Sequence, residues 1–549
     1  MKGGAASSAA LAVREVLRNR AIRRIETAWS AGTAADWAFL VVLLVVAYDE
    51  GGTLAVGILG AVRVVPAIVA APFATTLVER FRGERVLTAI NVLRCGGAVA
   101  TAVVVGVGFP FEVTYVLAAV VAGAGSLVRP IQNALLPALA RTPSELVAAN
   151  VASSVGEGLG TFAGPLLAGV LVATTGSVTA SVLIAALFAG AAAMVTGVRF
   201  EGELDARGGG AKGGASFRLA DVPAVLRRYP AAALVVGDFV AQVFVRGIFI
   251  ALTVAVSIEL LDLGEGGVGL LNAAVGLGGL LGALGALGLA GGARLGTVFV
   301  VALAGWGLPL VLIGAWPVAL VALVALFVTG VSNAVLDVSG FTLVQRGVAN
   351  EDRVTVFAVM EGLFGVGLLL GSLAAPALDA LVGTQGALVV AGAILPFCAL
   401  ATARIIRRSA DRDAAAEEHL EVLRRNPLFA PLPLTALDRL AEGMSPCSFA
   451  PGEVVMRKGD PGEHYILIAN GEVDVSDDGK ALVTLGPGDG LGEIALLRRV
   501  PRTATATART PVTGYAIDAP AFLAAVAGPA AAAAAEAVVA DRLERSRST

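Results

Sequence analysis

About twelve stretches of this chain are apolar for roughly 20 residues each, the length an α-helix needs to cross the hydrocarbon of a bilayer. They fall at 25–48, 54–78, 86–108, 113–137, 146–174 and 177–198, then at 231–260, 266–290, 295–315, 317–344, 353–382 and 385–407. Backbone inside lipid must satisfy its own hydrogen bonds, so twelve such stretches predict an α-helical polytopic membrane protein. Composition agrees, because 56% hydrophobic against 15% charged residues over 549 positions is too apolar for a water-soluble fold.

The connectors between spans alternate in charge. Arg80, Arg82 and Arg85, then Arg141, the stretch Arg199 to Arg228, Arg294, Arg346 with Arg353, and Arg404 with Arg407 and Arg408 fall on one side. The opposite connectors, such as Tyr48 to Gly52 and Asp262 to Gly267, hold no Lys or Arg. The positive-inside rule then predicts a plasma-membrane protein with both termini cytoplasmic. The arginines between Arg14 and Arg24 precede a long apolar span with no short cleavable signal. A net charge of −3 gives no basis for a nucleic-acid partner. Three cysteines far apart in sequence and two histidines indicate neither a disulfide framework nor a metal site.

The glycine-rich stretch Arg207 to Gly214 divides the spans six and six, and the halves echo each other. Val155-Gly156-Glu157-Gly158-Leu159 matches Val359-Met360-Glu361-Gly362-Leu363, and Thr53 to Leu59 resembles Glu265 to Leu271. Two pseudo-symmetric six-helix halves are the mark of a transporter that rocks about a central site. Charges within spans are costly and face a cavity or a partner. The central-site candidates are therefore Asp36, Arg63, Arg94, Glu157 and Glu361, as carriers of a proton or as ion pairs that lock helices together. Arg129, Asp238 and Asp337 sit nearer the cytoplasmic ends, where gating or packing is expected.

Past the last span the composition changes. Phe397 to Asn426 holds neither Gly nor Pro and predicts a stiff helical connector. Phe449 to Asp518 alternates short β-rich runs with turns at Pro451-Gly452, Pro461-Gly462, Asn470-Gly471 and Asp478-Gly479, which predicts a soluble β-roll. Within it stands Gly490-Leu-Gly-Glu-Ile-Ala-Leu-Leu-Arg-Arg-Val-Pro-Arg-Thr-Ala504. Gly492 lets the backbone approach a ligand, a helix starts at Glu493 with its N–H groups aimed at an anion, and Arg502 offers a fork for two phosphate oxygens. Glu493 beside a phosphate calls for a donor, which a ribose hydroxyl supplies. The Ala-rich end from Pro520 to Leu543 reads as a helix that would cover the base.

Two resemblances follow. Gly492-Glu493-Ile494-Ala495-Leu496 with Pro501-Arg502-Thr503-Ala504 is similar to the phosphate-binding cassette of cyclic-nucleotide-binding domains. The resemblance implies Glu493 on the ribose 2′-hydroxyl, Arg502 on the cyclic phosphate and amides around Ile494 and Ala495 completing the cradle. Thr503 stands where cyclic-GMP-dependent kinases often have Thr, but catabolite activators with a hydroxyl there bind cyclic AMP. Cyclic AMP is therefore the expected ligand and cyclic GMP the alternative. The membrane portion, roughly 20 to 408, resembles the major facilitator superfamily, in particular its drug-efflux-like bacterial branch. Glu79, Arg80 and Arg85 match the acid, the Arg and the basic end of its loop motif, although Thr75 stands where the motif has Gly. Gly164 and Pro165 match its fifth-span motif with Ala168 for one Gly, and Arg129 to Gln132 matches R-x-x-Q. These are the gating candidates.

The expected domains are a transmembrane half at 1–200, a cytoplasmic linker at 201–230, a second half at 231–408, a helical connector at 409–426 and a cytosolic cyclic-nucleotide-binding domain at 427–549. The expected function is secondary transport, with efflux of a lipophilic small molecule, proton coupling and control by the nucleotide, with no enzyme activity and no cofactor. The alternatives are a membrane-anchored nucleotide sensor or scaffold without flux, and an uncoupled facilitator or lipid flippase. Neither the substrate nor the oligomeric state is legible.

Overall fold

The computed structural model describes residues 19–70, 80–140, 143–196, 198, 227–286, 295–349, 352–432 and 443–526, with four more between 436 and 441. The chain divides into two compact units, Met1–Ala410 and Asp411–Thr549.

The first unit is helical: α1 Arg20–Ala70, α2 Gly83–Val107, α3 Glu112–Ser126, α4 Val128–Leu139, α5 Pro143–Thr196, α6 Pro230–Ala255, α7 Gly264–Ala286, α8 Leu295–Ala315, α9 Ala319–Gly347 and the part to Ala410 of α10 Arg353–Arg425. Among the described residues, nine helical segments are long and apolar enough to cross a membrane. Three of them, in α1, α5 and α10, run to 47, 49 and 56 residues, about twice the length one crossing needs. Each breaks at a glycine of positive φ: Gly52 at 59°, Gly176 at 76° and Gly383 at 71°. Split there, the nine become twelve crossings in two groups of six, the architecture expected from sequence.

The repeat is visible in the backbone itself. Gly176 (φ 76, ψ 166) between spans 5 and 6 and Gly383 (φ 71, ψ 167) between spans 11 and 12 adopt the same conformation, one that disfavours a Cβ. Gly52 and Gly264 occupy matching places before spans 2 and 8, with φ of 59° and 63°. Span 7 ends in a π-helical turn, Val256–Leu260.

Spans 5 and 8 pack almost backbone to backbone, since a Cβ on Gly266 would lie 3.0 Å from the Gly169 carbonyl oxygen. At the same end of the bundle the halves are tied by hydrogen bonds. The Tyr48 hydroxyl donates to Glu259, and Thr53 Oγ1 donates to Asp379 at 3.0 Å. Residues 71–79 and 287–294, expected to finish spans 2 and 8, lie outside the described residues, as does most of the linker at 201–226.

α10 continues past its last apolar residues to Arg425, as the absence of Gly and Pro from Phe397 to Asn426 leads one to expect. In the second unit two four-stranded antiparallel sheets form the β-roll. Their orders are β1-β8-β3-β6 and β2-β7-β4-β5, built from β1 Ser445–Phe449, β2 Val454–Met456, β3 His464–Asn470, β4 Val473–Asp477, β5 Lys480–Leu485, β6 Gly490–Leu491, β7 Thr505–Ala508 and β8 Val512–Asp518. Strand β3 shows why the roll forms. Ile466 and Ile468 face its interior with Val473, Leu491 and Ala506, whereas Tyr465 and Leu467 face a second core with Leu423, Phe429 and Phe522. Helix α11, Glu493–Arg498, carries the cassette, and α12, Ala519–Val526, begins the expected terminal helix, whose remainder lies outside the described residues.

Three of the four expected turns hold a glycine of positive φ, at Gly452, Gly471 and Gly479. The fourth expectation is corrected: Gly459, at φ 90°, makes that turn instead of Gly462. A Cβ on Gly462 would come 3.0 Å from that of Ala495, so its small size serves close packing against the cassette helix.

Candidate functional sites

Strand β6 delivers the chain to Gly492, whose left-handed conformation (φ 100, ψ 1) turns it sharply into α11. A side chain there would be strained, and it would also meet the Arg502 guanidinium, with Cζ 3.1 Å from the added carbon. Arg502 is 8% exposed and is held by main-chain carbonyls, Nη1 donating to Gly492 O at 3.0 Å and Nη2 to His464 O at 2.6 Å. Its backbone is fixed by a bond from its N–H to Asp460 O at 2.8 Å. Burial lowers the Arg502 pKa from its ordinary value, and the nearby carboxylates of Glu493, Asp460 and Glu463 act against that shift. Glu493 is buried at 2% exposure.

These groups form one wall of a cavity of about 410 Å³, within the range that takes a nucleotide-sized ligand. Gly492, Glu493, Ile494, Ala495, Arg502, Thr503 and Ala504 all line it. Val475, Leu482, Val483 and Leu485 line it as well and give it an apolar surface. Asn426, directly after α10, lines it too, and its Nδ2 donates to the Tyr465 hydroxyl at 3.1 Å and to Gly488 O at 2.9 Å. Sequence reading assigned no role to Asn426 or Tyr465, because neither belongs to the contiguous cassette.

In the first unit, Asp36 of span 1 forms an ion pair with Arg94 of span 3. Arg94 is 1% exposed, donates to Asn91 Oδ1 at 3.1 Å and to Gly32 O at 3.2 Å, and lies 4.4 Å from the centre of the Phe188 ring. Arg63 of span 2 feels the Asp36 charge as well. Arg129 of span 4 pairs with Glu157 of span 5 at 2.7 Å beside a cavity of about 310 Å³. Glu361 of span 11 lies within electrostatic reach of Arg129, and Asp337 of span 10 within reach of Glu157 and Arg246. Asp36, Arg63, Arg94, Arg129 and Glu157 belong to the first six spans, and Arg246, Asp337 and Glu361 to the last six.

A profile of the Major Facilitator Superfamily matches residues 30–297 and 292–441, most of the chain. The chain belongs to the Major Facilitator Superfamily. Residues 446–528 match the cyclic nucleotide-binding domain, so this superfamily member carries such a domain C-terminally. Acetyltransferase Pat of Mycolicibacterium smegmatis is 46% identical over 92 residues, which cover 16% of the present chain and 28% of that protein. Among solved structures, the regulatory domain of Toxoplasma gondii PKA co-crystallised with cAMP is 30% identical, with TM-score 0.19, over 20% of the present chain and 43% of its own. A PKAR CBD2 bound to Sp-2Cl-cAMPS is 21% identical, with TM-score 0.22, over 24% and 88%.

Of the gating candidates, Gly164 lets span 5 approach span 1, since an added Cβ would lie 3.1 Å from Ala34 Cα, and Pro165 follows it inside α5. Arg80 and Arg85 are exposed, and Glu79 lies outside the described residues. Arg129, a gating candidate, pairs with Glu157 and lies one helical turn from Gly125, which packs beside Asp36.

Sequence reading passed over Arg246, although a mid-span arginine met its own criterion. It also passed over the polar cluster beside Asp337: Asn333 Nδ2 donates to Asp337 at 2.9 Å, while Asn333 Oδ1 accepts from Trp306 Nε1 at 3.1 Å and from Gln242 Nε2 at 3.3 Å. Uncharged amides carry no signal in an apolar span until helix packing brings them together. Glu26 was missed for another reason, as it stands among the basic residues before the first span. It is 4% exposed and accepts from Ser153 Oγ at 2.7 Å and Gln132 Nε2 at 3.1 Å.

Proposed function

We propose that this chain is a secondary active transporter for a lipophilic small molecule, moved outward by alternating access and regulated by a cytosolic cyclic nucleotide. No covalent bond is broken in its cycle. The observation that carries this reading is the 410 Å³ cavity walled by Arg502 and Glu493, in a chain whose other unit is a twelve-crossing superfamily body. Arg502 would hold the cyclic phosphate with Gly492, Ile494 and Ala495, and Glu493 the ribose hydroxyl. Cyclic AMP is the assigned nucleotide, with Thr503 as the group that would admit cyclic GMP.

The basic connectors support a reading with both termini in the cytosol at a plasma membrane, and we assign transmembrane halves to 1–200 and 231–408, the linker to 201–230, the connector to 409–426 and the nucleotide domain to 427–549. Glu157 and Glu361 are assigned to proton coupling, because each shares Arg129 with the other across the halves. Hydrogen bonds at one end of the cleft and exposed charges deeper in it suit a state closed on the outer side.

The test is flux in proteoliposomes with the nucleotide domain outward, with and without cyclic AMP or cyclic GMP, and with imposed proton gradients. Cyclic AMP that changes the rate supports the reading. Nucleotide binding with no flux of any lipophilic probe would assign the chain to the sensor class instead, and flux indifferent to a proton gradient would make it a facilitator. A Gly-Ser insertion after Ser409 should leave binding and basal flux intact while reducing the nucleotide effect, since a ligand shifts a transporter only by its differential affinity for two conformations.

A further inference from the structure

Polar side chains line up on two helices of the first half. On α4, Arg129 and Asn133 stand four residues apart, and on α5 Asn150, Ser154 and Glu157 follow at the same helical spacing, so each set shares one helix face. All five line the cavity of about 310 Å³. The other face of α4 holds Val128, Ile131 and Leu135, which pack into a buried apolar cluster.

Part of the lining is committed to the protein's own hydrogen bonds. Gln132 Nε2 donates to Glu26 at 3.1 Å and to Ser153 Oγ at 3.2 Å, and Ser153 Oγ donates to Glu26 at 2.7 Å. Trp29 Nε1 donates to Ser153 O at 3.1 Å, and Ser154 Oγ to Asn150 O at 3.1 Å. These bonds hold the lining in place. The side-chain amides of Asn133 and Asn150 are exposed and make no hydrogen bond among the described residues.

Charge decides what such a cavity suits. Among the described residues, Arg129 and Glu157 are the only charged ones that line it, and they cancel in their 2.7 Å pair, with 59% and 35% of their side chains exposed. An ionic ligand would have to compete with one member of that pair for the other. A wholly apolar one would bury the two amides unpaired. A hydroxyl donates and accepts at one atom, as an amide does at two, and so meets every group the lining offers. Two adjacent hydroxyls take both members of the pair, one accepting from Arg129 and its neighbour donating to Glu157, and the pair stays neutral.

We propose that this cavity binds a neutral polyhydroxylated group, the sugar or polyol head of a solute whose remaining body is apolar. The proposal rests on the transporter reading above and names its substrate class. Arg129 and Glu157 hold a vicinal diol, Asn133 and Asn150 take further hydroxyls, and Trp29, Leu136 and Leu146 supply apolar surface for the C–H face of the ring. In that reading the cavity lies toward the basic connector at Arg141, on the cytoplasmic side, where a solute bound for export is loaded. The head arrives either on a free glycoside from the cytosol or on a glycolipid of the inner leaflet, and the same chemistry serves both.

The test is equilibrium binding to the full-length protein in phosphatidylcholine nanodiscs without nucleotide, corrected for uptake by empty nanodiscs. The probes are 2-naphthyl β-D-glucopyranoside, its tetra-O-methyl ether, which accepts hydrogen bonds but donates none, the anionic 2-naphthyl glucuronide and the cationic 6-amino-6-deoxy glucoside. The glucoside should bind at least about ten-fold more tightly than the ether, the effect of a few hydrogen bonds, and more tightly than either charged probe. Equal binding of glucoside and ether to the unaltered protein, which needs no variant, overturns the proposal, as does tighter binding of a charged probe. Asn133→Leu and Asn150→Leu keep the size of these exposed side chains and remove the amides. Each should weaken the glucoside several-fold and leave the ether as it was, a split that loss of structure cannot produce. An undiminished preference for the glucoside in both variants removes the assignment to this cavity. Displacement of the glucoside by a monoglucosyl diacylglycerol built into the nanodisc supports the class with the bilayer as source; binding without displacement supports it with the cytosol as source. Flux of an apolar probe in a protein that does not prefer the glucoside would leave the transporter reading standing without this substrate class, and the preference without any flux would leave the site standing without transport.

Discussion

Two buried arginines, Arg94 in the membrane unit and Arg502 in the β-roll, solve the same physical problem differently. Each is almost wholly removed from water, at 1% and 8% exposure. Arg94 is neutralised by Asp36 and stacked on Phe188, so its charge is consumed within one half of the bundle. Arg502 is held by the neutral carbonyls of Gly492 and His464 at the wall of a cavity. A guanidinium with its own carboxylate is suited to bracing helices; one steadied by backbone oxygens is suited to holding an anion that arrives from outside.

The contrast is broken most decisively at the strut. Removing one member of a buried ion pair leaves the other uncompensated and costs about 3–5 kcal/mol. Asp36→Asn, which leaves the buried Arg94 uncompensated, should therefore lower the unfolding temperature of the membrane unit sharply while nucleotide affinity stays as it was, and Arg94→Gln, which leaves the more exposed Asp36, should lower it less. Thermal unfolding followed on the purified chain reads this directly. A well-folded Asp36→Asn protein that has lost only gradient-driven transport would show the pair to be a working proton site instead of a strut.

Arg502→Ala should do the opposite. It should weaken nucleotide binding by about 2–3 kcal/mol, the scale of a charge-assisted contact, and leave the melting of the β-roll nearly unchanged. Glu493→Ala should lower affinity as well, and isothermal calorimetry that found both variants binding normally would remove the cassette assignment.

A smaller effect is expected at Gly492. Alanine would have to accept φ of 100° and displace the Arg502 fork, at a cost of roughly 1–3 kcal/mol. Because the strain falls on the binding wall, affinity should drop more than stability does; comparing calorimetric and thermal data for Gly492→Ala decides it.

The smallest change concerns Thr503, which touches the cavity without charge. Thr503→Ala should alter the ratio of cyclic AMP to cyclic GMP affinity by about 1 kcal/mol, through the guanine side alone. Competitive titration that leaves the ratio untouched would separate Thr503 from base choice.

Much of this molecule is legible before folding. The cassette from Gly492 to Ala504 is contiguous, so its glycine turn, helix start and arginine meet in space for local reasons. The turn at Gly459 was misplaced onto Gly462 because both are glycines in a Gly- and Pro-rich loop, and only the packing of Ala495 tells a tight contact from a left-handed turn. The hydrogen-bonded cluster of Gln242, Trp306 and Asn333 was invisible because its members come from three separate spans.

Sequence alone determined the twelve crossings, their division six and six, and the nucleotide cassette, since hydropathy, glycine breaks and a short motif are properties of neighbouring residues. Tertiary structure alone decided which charges neutralise each other. Asp36, Arg63, Arg94, Arg129, Glu157, Arg246, Asp337 and Glu361 are equally conspicuous along the chain. In low-dielectric surroundings, their meaning depends on the partner a few ångströms away. Helix packing assigns Arg94 to Asp36 and Arg129 to Glu157.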